Sequence, residues 1–240
     1  MEAMVQQPQR ILVIETSGRA GSTALGTEAG LVAAVRLPGK VRHAGELLPM
    51  VADLLHKQSW SPGSLTDVWV SIGPGSFTGL RIAVTVARTL AWSVGARLVA
   101  VPTVDGLALN ALAAEPVPAH VAVVLDAKRG QVYTAAFELI DGTCRKIVDA
   151  HLADPLAFLK VCPRPLAVLG EGVPYHRAAI EAAEVRILPE EVWWPRAEHV
   201  FQVGQTLARQ GCYTPGDDLM PLYIRRPEAE EKWEKLHGVS

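Results

Sequence analysis

The chain has 240 residues, of which 49% are apolar, and its formal net charge at neutral pH is -2. This length fits one large domain or two smaller lobes, and the apolar fraction is high enough to exclude a generally disordered chain. A net charge so close to zero provides no broad basic surface, which argues against a protein that binds nucleic acid by itself.

The cysteines and the N-terminal sequence predict a cytoplasmic location. Cys144, Cys162 and Cys212 are an odd number of residues without Cys-x-x-Cys spacing, a pattern that fits reduced thiols and excludes a disulfide scaffold. The polar stretch from Met1 to Gln9 lacks the apolar segment of a signal peptide, and charges interrupt the apolar runs before they reach membrane-spanning length. We therefore expect a soluble cytoplasmic protein without a membrane segment.

The first part of the chain predicts three strands and a helix. Short apolar runs separated by glycine-containing turns indicate antiparallel strands at residues 11–14, 22–26 and 31–36. Between Ala44 and Leu55 the apolar residues recur at intervals of three and four, which places them on one face of a helix. Pro49 is compatible with this helix if its regular part begins near Glu46, where the missing N–H costs little.

A second helix is predicted from Ser76 to Trp92, between strands at 68–72 and 97–101. Its apolar side chains cover most of the circumference, so the helix needs cover on more than one side. The sheet can cover one side, and another helix or another chain must cover the rest. Thr103 is expected to cap a further helix that runs to about Ala113.

The sequence Glu115-Pro-Val-Pro-Ala119 indicates a boundary before a second unit. That unit is predicted to contain strands at 120–125 and 131–139 and helices at 155–161, 175–183 and 196–209. Three strands, helix, strand, helix, strand is the order of a ribonuclease-H-like half. Its repetition, with fewer helices, predicts an α/β, two-lobed actin-like ATPase or sugar-kinase architecture. We divide the chain into an N-terminal lobe at 10–115, a smaller lobe at 119–195, a helix and strand at 196–226 that can return to the first lobe, and a charged, mobile tail at 227–240.

The segment Gly73-Pro-Gly-Ser-Phe-Thr-Gly79 is a glycine-rich turn between a predicted strand and a predicted helix. Such a turn can present helix N–H groups to a phosphate. However, no Gly-Lys-Ser/Thr follows it, and Thr78 stands where a dinucleotide fingerprint has its third glycine. The competing interpretation, which we favour, is a tight turn that lets the helix pack closely on its strand.

Two carboxylates stand where an actin-like ATPase would hold magnesium and nucleotide. Glu15, in Glu15-Thr-Ser-Gly18, takes the place of an aspartate that precedes a phosphate-binding hairpin. Its extra methylene displaces the charge by more than about 1 Å, which octahedral magnesium tolerates poorly. Asp126 is the second carboxylate, but Lys128 and Arg129 stand only two and three residues after it. We predict at most a vestigial nucleotide site, formed by Glu15, Ser17, Gly73, Gly75 and Asp126.

The sequence lacks the usual patterns of metal ligands and nucleophiles. His43 opens the first helix, but Leu47 occupies the position four residues on where a second ligand would stand, so no metal site is expected. Ser76 is not part of a Gly-x-Ser-x-Gly elbow, because Thr78 replaces the second glycine. We predict no catalytic residue, no metal and no cofactor, although a triad can also assemble from residues distant in sequence.

Six motifs resemble the TsaB family, also called YeaZ. They are Ile-Leu-Val-Ile-Glu-Thr-Ser (11–17), Leu-Leu-Pro-Met-Val (47–51), Ser-Ile-Gly-Pro-Gly-Ser-Phe-Thr-Gly-Leu-Arg-Ile (71–82), Val-Pro-Thr-Val-Asp-Gly-Leu (101–107), Asp-Ala-Lys-Arg-Gly-Gln-Val-Tyr (126–133) and Pro-Leu-Tyr-Ile-Arg (221–225). The resemblance covers almost the whole chain, and the motif at 71–82 is its most specific part. Two residues depart from the family pattern, since Glu15 replaces a usual aspartate and Lys128 replaces a common arginine.

The resemblance implies a degenerate actin-like ATPase that acts as a non-catalytic subunit. Proteins of this family pair with the catalytic paralogue TsaD and, with the ATPase TsaE, support threonylcarbamoyl transfer to the tRNA adenosine next to the anticodon. TsaD carries a metal-binding histidine pair, so Leu47 in the place of the second histidine fits the non-catalytic role. The implied partners are therefore TsaD and TsaE, with tRNA contacted indirectly.

The two predicted helices at 44–56 and 76–92 are expected to form the face that docks on TsaD. Its candidate residues are apolar apart from two arginines: Leu47, Leu48, Val51, Leu54, Leu55, Phe77, Leu80, Arg81, Val84, Ala87 and Arg88. One side of each helix must also meet the sheet, and the sequence does not say which residues point outward. Without TsaD the face should pair with a second copy, so we expect a two-fold homodimer.

Two alternatives come from other functional classes. The first is an ATP-dependent kinase or ATPase of the same fold, in which Glu15 and Asp126 would hold magnesium-nucleotide. The second is a peptidase or general hydrolase. Micromolar, magnesium-dependent nucleotide binding would favour the first alternative, and turnover sensitive to serine or metal inhibitors would favour the second.

Overall fold

The computed structural model describes residues 8–36 and 43–222, which form two lobes, each built on a five-stranded mixed sheet. The first lobe and its exit contain β1 (Ile11–Glu15), β2 (Ser22–Thr27), β3 (Gly30–Arg36), α1 (His43–Lys57), β4 (Asp67–Gly73), α2 (Phe77–Val94), β5 (Arg97–Pro102) and α3 (Thr103–Ala108). The rest of the chain contains β6 (His120–Asp126), β7 (Val132–Ile140), β8 (Thr143–Ala153), α4 (Pro155–Val161), β9 (Leu166–Leu169), α5 (Arg177–Ala182), β10 (Arg186–Ile187) and α6 (Ala197–Arg209).

The two sheets have the same strand order. It is β3-β2-β1-β4-β5 in the first sheet and β8-β7-β6-β9-β10 in the second. In each sheet the first three strands are antiparallel neighbours, and the last two run parallel to the first strand. Parallel neighbours need crossover connections, which α1 and α2 supply in the first lobe and α4 and α5 in the second. This repetition confirms the predicted α/β, two-lobed actin-like ATPase fold.

Helices cover both faces of the first sheet. Leu12 and Ile14 of β1 belong to the core formed with α1 and α2, whereas Ile11 and Val13 belong to the core formed with α6. This division follows from the strand geometry, since successive side chains point to opposite faces. A strand buried on both faces is apolar at every position, which explains the continuous apolar run of β1.

α6 packs on the first sheet through a close aromatic contact. Phe201 stacks on Trp69, with ring centroids 5.3 Å apart and an interplanar angle of 27°. A Cβ at Gly26 would lie 2.1 Å from Phe201 Cε2, and one at Gly204 would lie 2.6 Å from Trp69 Cε3. Both positions therefore require glycine for the helix to approach the sheet this closely.

α3 links the two lobes. Val104, Leu107 and Ala108 belong to the core of the second lobe, and α3 also contacts α6. The chain thus crosses between the lobes at α3 and returns with α6 to the first sheet. Our division of the chain at 10–115, 119–195 and 196–226 stays a prediction.

α1 begins at His43, as the sequence indicated, so Pro49 lies inside the helix rather than near its start. It lies at an exposed position where the lost backbone hydrogen bond can be replaced by water. The prediction that Thr103 caps the next helix was wrong. Thr103 begins α3 but does not cap it. Its hydroxyl lies 2.7 Å from Ser71 Oγ instead, which ties α3 to β4.

Three strands of the second sheet were missed. β8 has 11 residues, but it lies at the edge of the sheet, and its mixed charged and apolar sequence shows no clean alternation. β9 and β10 have only four and two residues, too few for a periodic signal. The helix predicted at 175–183 is also shorter than expected, spanning Arg177–Ala182.

The described helices include no candidate membrane span, since none in residues 8–36 and 43–222 is long and apolar enough to cross a bilayer. The predicted tail at 227–240, and most of the strand expected just before it, lie outside the described residues. At the last described position the Leu222 N–H donates to the Ile72 carbonyl oxygen at 2.7 Å, which attaches this end of the chain to β4.

Candidate functional site

Glu15 ends β1, and its side chain is completely buried. The Ser17 N–H and the Ser17 hydroxyl both donate to Glu15 Oε1 at 2.5 Å. Oε2 has no hydrogen-bond partner among the described residues. Burial raises the pKa of Glu15 above its usual range, and the bonds from Ser17 and the nearby Ser71 hydroxyl oppose this rise only in part. The carboxyl group is therefore neither accessible to a ligand nor favoured in its charged form.

The glycine-rich turn after β4 is filled by the backbone of the turn between β1 and β2. The Ser76 N–H donates to the Ser17 carbonyl oxygen, and the Thr16 hydroxyl donates to the Gly79 carbonyl oxygen, both at 2.7 Å. A Cβ at Gly75 would lie 2.3 Å from the Ser17 carbonyl oxygen, and one at Gly79 would lie 2.0 Å from that of Thr16. These glycines let two backbone segments touch, which supports the packing interpretation of the motif.

The second lobe repeats this arrangement. Asp126 is the last residue of β6, as Glu15 is the last residue of β1. A Gly-x-Gly sequence stands at the end of the next parallel strand in both lobes: Gly73-Pro-Gly75 at the end of β4 and Gly170-Glu-Gly172 after β9. Gly73 and Gly170 both have positive φ angles, of 112° and 119°, which favour glycine. The Gly172 N–H donates to the Val124 carbonyl oxygen at 3.0 Å, so this turn also rests on the end of the first strand of its sheet.

Asp126 is held by donors of its own chain. Lys128 Nζ lies 2.7 Å from Oδ2, while the Lys128 N–H and His176 Nε2 each lie 3.1 Å from Oδ1. Burial by itself would raise the pKa of Asp126, but these contacts outweigh burial and hold the pKa below its usual range. Both oxygens of this carboxylate are therefore engaged within the second lobe.

Side chains from the two lobes meet between the two carboxylate-bearing turns. Arg19 donates from Nη2 to the Tyr175 hydroxyl at 2.7 Å, and its guanidinium carbon lies 5.8 Å from the centre of the Trp194 ring. Burial raises the pKa of Glu171, and the positive charge of Arg19 partly opposes the rise. In the part of the chain that the structure describes, no three His, Cys, Asp or Glu side chains are grouped so that they could hold a metal ion.

Sequence reasoning missed four residues that lie around these two turns: Arg19, Glu171, Tyr175 and His176. Arg19 and Tyr175 are 156 positions apart, and Asp126 and His176 are 50 apart, so no local spacing connects them. The usable signal was Gly-Glu-Gly at 170–172, which repeats the Gly-x-Gly of 73–75 after a buried strand.

Comparisons with known proteins find relatives over nearly the full length of the chain. The family model described as "TsaD: tRNA N6-adenosine threonylcarbamoyltransferase" matches residues 39–233. The "tRNA threonylcarbamoyladenosine biosynthesis protein TsaB" of Bacillus subtilis is 33% identical over 229 residues, covering 93% of this chain and 97% of the relative. The protein of the same name from Escherichia coli is 33% identical over 239 residues, covering 95% and 99%. The chain belongs to the TsaB family.

Solved structures agree with this membership and with the fold. A protein from Pseudomonas aeruginosa, described by its similarity to "peptidase YEAZ", matches with a TM-score of 0.77 and 26% identity, covering 90% of this chain and 100% of that chain. A structure described as YeaZ from the same organism has a TM-score of 0.75 and 26% identity, with coverage of 90% and 99%. The predicted resemblance to the TsaB (YeaZ) family is thus confirmed.

In this TsaB-family chain, the residues predicted for a partner face fall into two groups. Seven are buried in the first lobe, and all of them except Leu80 belong to its core between the helices and the sheet: Leu47, Val51, Leu54, Leu55, Leu80, Val84 and Ala87. The other four are exposed: Leu48, Phe77, Arg81 and Arg88. Because the buried group packs against the sheet, it cannot contact a partner while the lobe is folded. Of the residues predicted for the partner face, only the four exposed ones remain candidates.

Three of these exposed residues, together with Trp92, form a stripe along α2. Phe77, Arg81, Arg88 and Trp92 follow one another at intervals of four, seven and four, which places them on one helical face. Trp92, which the sequence prediction omitted, is 87% exposed. The Arg81 guanidinium carbon lies 3.9 Å from the centre of the Phe77 ring. On α1, Leu48 is 50% exposed. Exposed aromatic, leucine and arginine side chains of this kind are typical of protein interfaces.

Proposed function

We propose that this chain is a non-catalytic subunit in the biosynthesis of tRNA threonylcarbamoyladenosine. Its full-length relatives carry that process in their names. In this proposal the chain holds the catalytic paralogue TsaD in its active arrangement while TsaD transfers the threonylcarbamoyl group to the tRNA adenosine next to the anticodon. The chain itself forms no covalent intermediate.

The observation that carries the non-catalytic role is that the chain itself buries Glu15 and engages Asp126. Magnesium requires accessible oxygen ligands in near-octahedral geometry, yet Glu15 is completely buried and Asp126 is engaged by Lys128 and His176. A phosphate at the amino end of α2 would need the space that the Ser17 carbonyl oxygen occupies beside Gly75. The chain's own atoms thus take the places that a magnesium-nucleotide would need.

Nucleotide titration tests the competing kinase or ATPase function. Calorimetry of the purified chain with ATP and magnesium is expected to give no saturable heat. Micromolar binding that requires magnesium would overturn the non-catalytic role, because it would show that Glu15 and Asp126 can open to a metal-bound nucleotide.

The exposed stripe of α2, together with Leu48 of α1, is the proposed docking surface for TsaD. Leu48, Phe77 and Trp92 expose apolar area that the monomer does not bury, and Arg81 and Arg88 add positive charge beside it. Without TsaD, two copies would cover the same surface in a two-fold homodimer. In the full system, TsaE binds the heterodimer of this chain and TsaD. The tRNA interacts with this chain only through its partners, and the whole system acts in the cytoplasm.

Size-exclusion chromatography with light scattering tests this surface directly. The chain alone is expected to be a homodimer, and mixing with TsaD of the same organism is expected to give a one-to-one heterodimer. Leu48→Arg should weaken both associations by about 100-fold or more, since burying an unpaired charge costs about 3 kcal/mol. The same variant should reduce tRNA modification by the reconstituted system.

Val161→Arg is the matched control, because Val161 is an apolar residue that is 81% exposed, on α4 in the second lobe. It should leave both associations unchanged. The proposal fails if the wild-type chain and TsaD do not associate with or without nucleotide, or if Val161→Arg disrupts association as strongly as Leu48→Arg.

A further inference from the structure

A polar hollow of about 840 Å³ lies at the amino ends of β4 and β5. Its wall includes Gln9, Thr66, Trp69, Arg97, Arg209 and Tyr213. Glu15 and Gly73 lie at the carboxyl ends of β1 and β4, which run parallel to each other and to β5. The hollow is therefore at the opposite edge of the first sheet, and the proposed function makes no use of it.

A buried carboxylate fixes one arginine in the wall of this hollow. Asp67 is completely buried, and its Oδ2 accepts hydrogen bonds from the Thr66 hydroxyl at 2.7 Å, Gln9 Nε2 at 3.2 Å and Arg97 Nη2 at 3.0 Å. Oδ1 also lies 3.0 Å from Arg97 Nη2. The Arg97 guanidinium carbon stands 4.4 Å from the centre of the Tyr213 ring. Because Asp67 engages Nη2, it does not use Nη1 or Nε, and half of the Arg97 side chain faces solvent.

Trp69, another residue that lines the hollow, carries a buried donor. The residue is 1% exposed, and its indole Nε1 finds no acceptor in the part of the chain that the structure describes. The ring cannot turn easily, because Phe201 stacks on it and Gly204 leaves no free space beside it. A buried N–H without an acceptor is unfavourable, so a ligand that supplies an oxygen here would satisfy it.

The wall therefore offers donors more than acceptors. The side chains of Arg97, Arg209 and Trp69 can only donate hydrogen bonds. Asp67 lies behind the wall, where the chain satisfies its Oδ2, while Oδ1 lies near Arg97 Nη2 but accepts no hydrogen bond from the described residues. Glu28, an exposed residue of the wall, adds a carboxylate whose charge disfavours an anion nearby. Unlike the buried carboxylate of Asp67, this opposing charge can be removed without touching the core.

We propose that this hollow binds a small molecule through an oxyanion group, either a phosphate or a carboxylate. Arg97 and Arg209 bind the oxyanion, since guanidinium groups match its geometry. Trp69 donates its indole N–H to an oxygen of the same ligand. The volume lies within the range of small-molecule sites, which leaves room for the rest of the ligand beside its charged group.

The indole N–H signal of Trp69 in a ¹H–¹⁵N spectrum tests the proposal. The chain has six tryptophans, and Trp69→Phe identifies the signal by its loss. Titration with inorganic phosphate and, separately, with citrate should move this signal saturably, with half-saturation near or below about 1 mM. The arm that saturates at lower concentration tells whether a phosphate or a carboxylate is preferred. Sodium chloride at equal ionic strength is the control.

Two exposed substitutions fix the expected signs. Arg209→Gln should weaken the binding of the preferred anion by roughly tenfold, because one charge-assisted hydrogen bond is lost. Glu28→Gln should strengthen it by roughly threefold. Both variants should keep the wild-type melting temperature. The proposal is overturned if the Trp69 signal does not move with either anion, or if it moves equally in wild type, Arg209→Gln and Glu28→Gln.

Discussion

Glu15 and Asp126 occupy equivalent places in the two lobes but have opposite electrostatic surroundings. Each ends the first strand of its sheet, and a Gly-x-Gly turn crosses the end of that strand. At Glu15 burial dominates and raises the pKa, whereas at Asp126 the contacts with Lys128 and His176 outweigh burial and lower it. The same backbone arrangement can thus accommodate a carboxyl group in two ways, by favouring its protonated form or by pairing its negative charge. In both lobes the chain itself buries or engages the carboxylate.

The largest expected effect comes from breaking the turn contact of the first lobe with Gly79→Ala. The added Cβ would lie 2.0 Å from the Thr16 carbonyl oxygen, so one of two backbone segments must move. We expect a loss of about 3 kcal/mol in the free energy of unfolding, measured by chemical denaturation. Gly172 of the second lobe, which corresponds to Gly75, is less crowded than Gly79, since a Cβ there would lie 2.8 Å from its nearest neighbours. Gly172→Ala should therefore cost less, about 1–2 kcal/mol.

Gly45→Ala is the matched control for these two variants. A Cβ at Gly45 would meet nothing within 4 Å, and the residue lies in α1. Alanine favours a helix over glycine, so this variant should gain up to about 1 kcal/mol. A loss below about 1 kcal/mol for Gly79→Ala would contradict the rigid contact between the two turns.

A smaller loss is expected for Asp126→Asn, which removes the charge but keeps the shape of the side chain. The variant should lose about 1–2 kcal/mol at neutral pH, because the bonds from Lys128 and His176 no longer reach a charged acceptor. Since the folded pKa of Asp126 lies below its unfolded value of 3.8, its contribution is complete well above that pH and is lost as pH falls through and below it. Denaturation at several pH values should show the gap to wild type shrinking in acid. A gap that stays constant down to pH 3 or so would argue against the charge as its cause.

Glu15→Gln should have the smallest effect, with the opposite sign. The folded pKa of Glu15 lies above its unfolded value of 4.5, so the wild type binds the extra proton when folded and loses stability as pH rises through the interval between the two. Glutamine cannot titrate, so at neutral pH the variant should gain up to about 1 kcal/mol. Glu181→Gln, on an exposed ion pair, is the control and should change stability little. A clear loss at neutral pH would mean that Glu15 is charged in the folded protein.

The regular elements of the first lobe were predictable because their apolar patterns are strong within a short window of sequence. The helix predicted at 76–92 spans Phe77–Val94, and the strand predicted at 68–72 spans Asp67–Gly73. Both elements are apolar on most sides, so their sequence indicates a buried strand or helix whichever neighbours cover them. β8 was missed because an edge strand with partly buried charges is defined by its pairing with β7, which lies outside a local sequence window.

The candidate site was predictable only in part, for the same reason. Glu15, Gly75 and Asp126 could be named from their places after strands, and the structure brings them to the corresponding turns of the two lobes. Arg19 and Tyr175 could not, because their contact depends on how the lobes meet. On the partner face, the apolar pattern of α1 predicted a buried side and an outer side but could not assign Leu47 and Leu48 to them. Helical neighbours differ by one position, and only the sheet decides which is covered.

The seating of Phe201 against Trp69 and Gly26 has a consequence for how the chain is made. The hydrogen bond that anchors the start of α6, from the Ala197 N–H to Ser22 Oγ, joins residues 175 positions apart. During synthesis, β1, β2, β4 and β5 leave the ribosome long before α6 exists, so one apolar face of their sheet has no cover. The first lobe cannot mature as an independent unit while the chain grows. Its native state is reached only when α6 has been translated. Premature termination before Ala197 would therefore leave the half of the protein that is made first without its cover, prone to aggregate and to bind chaperones.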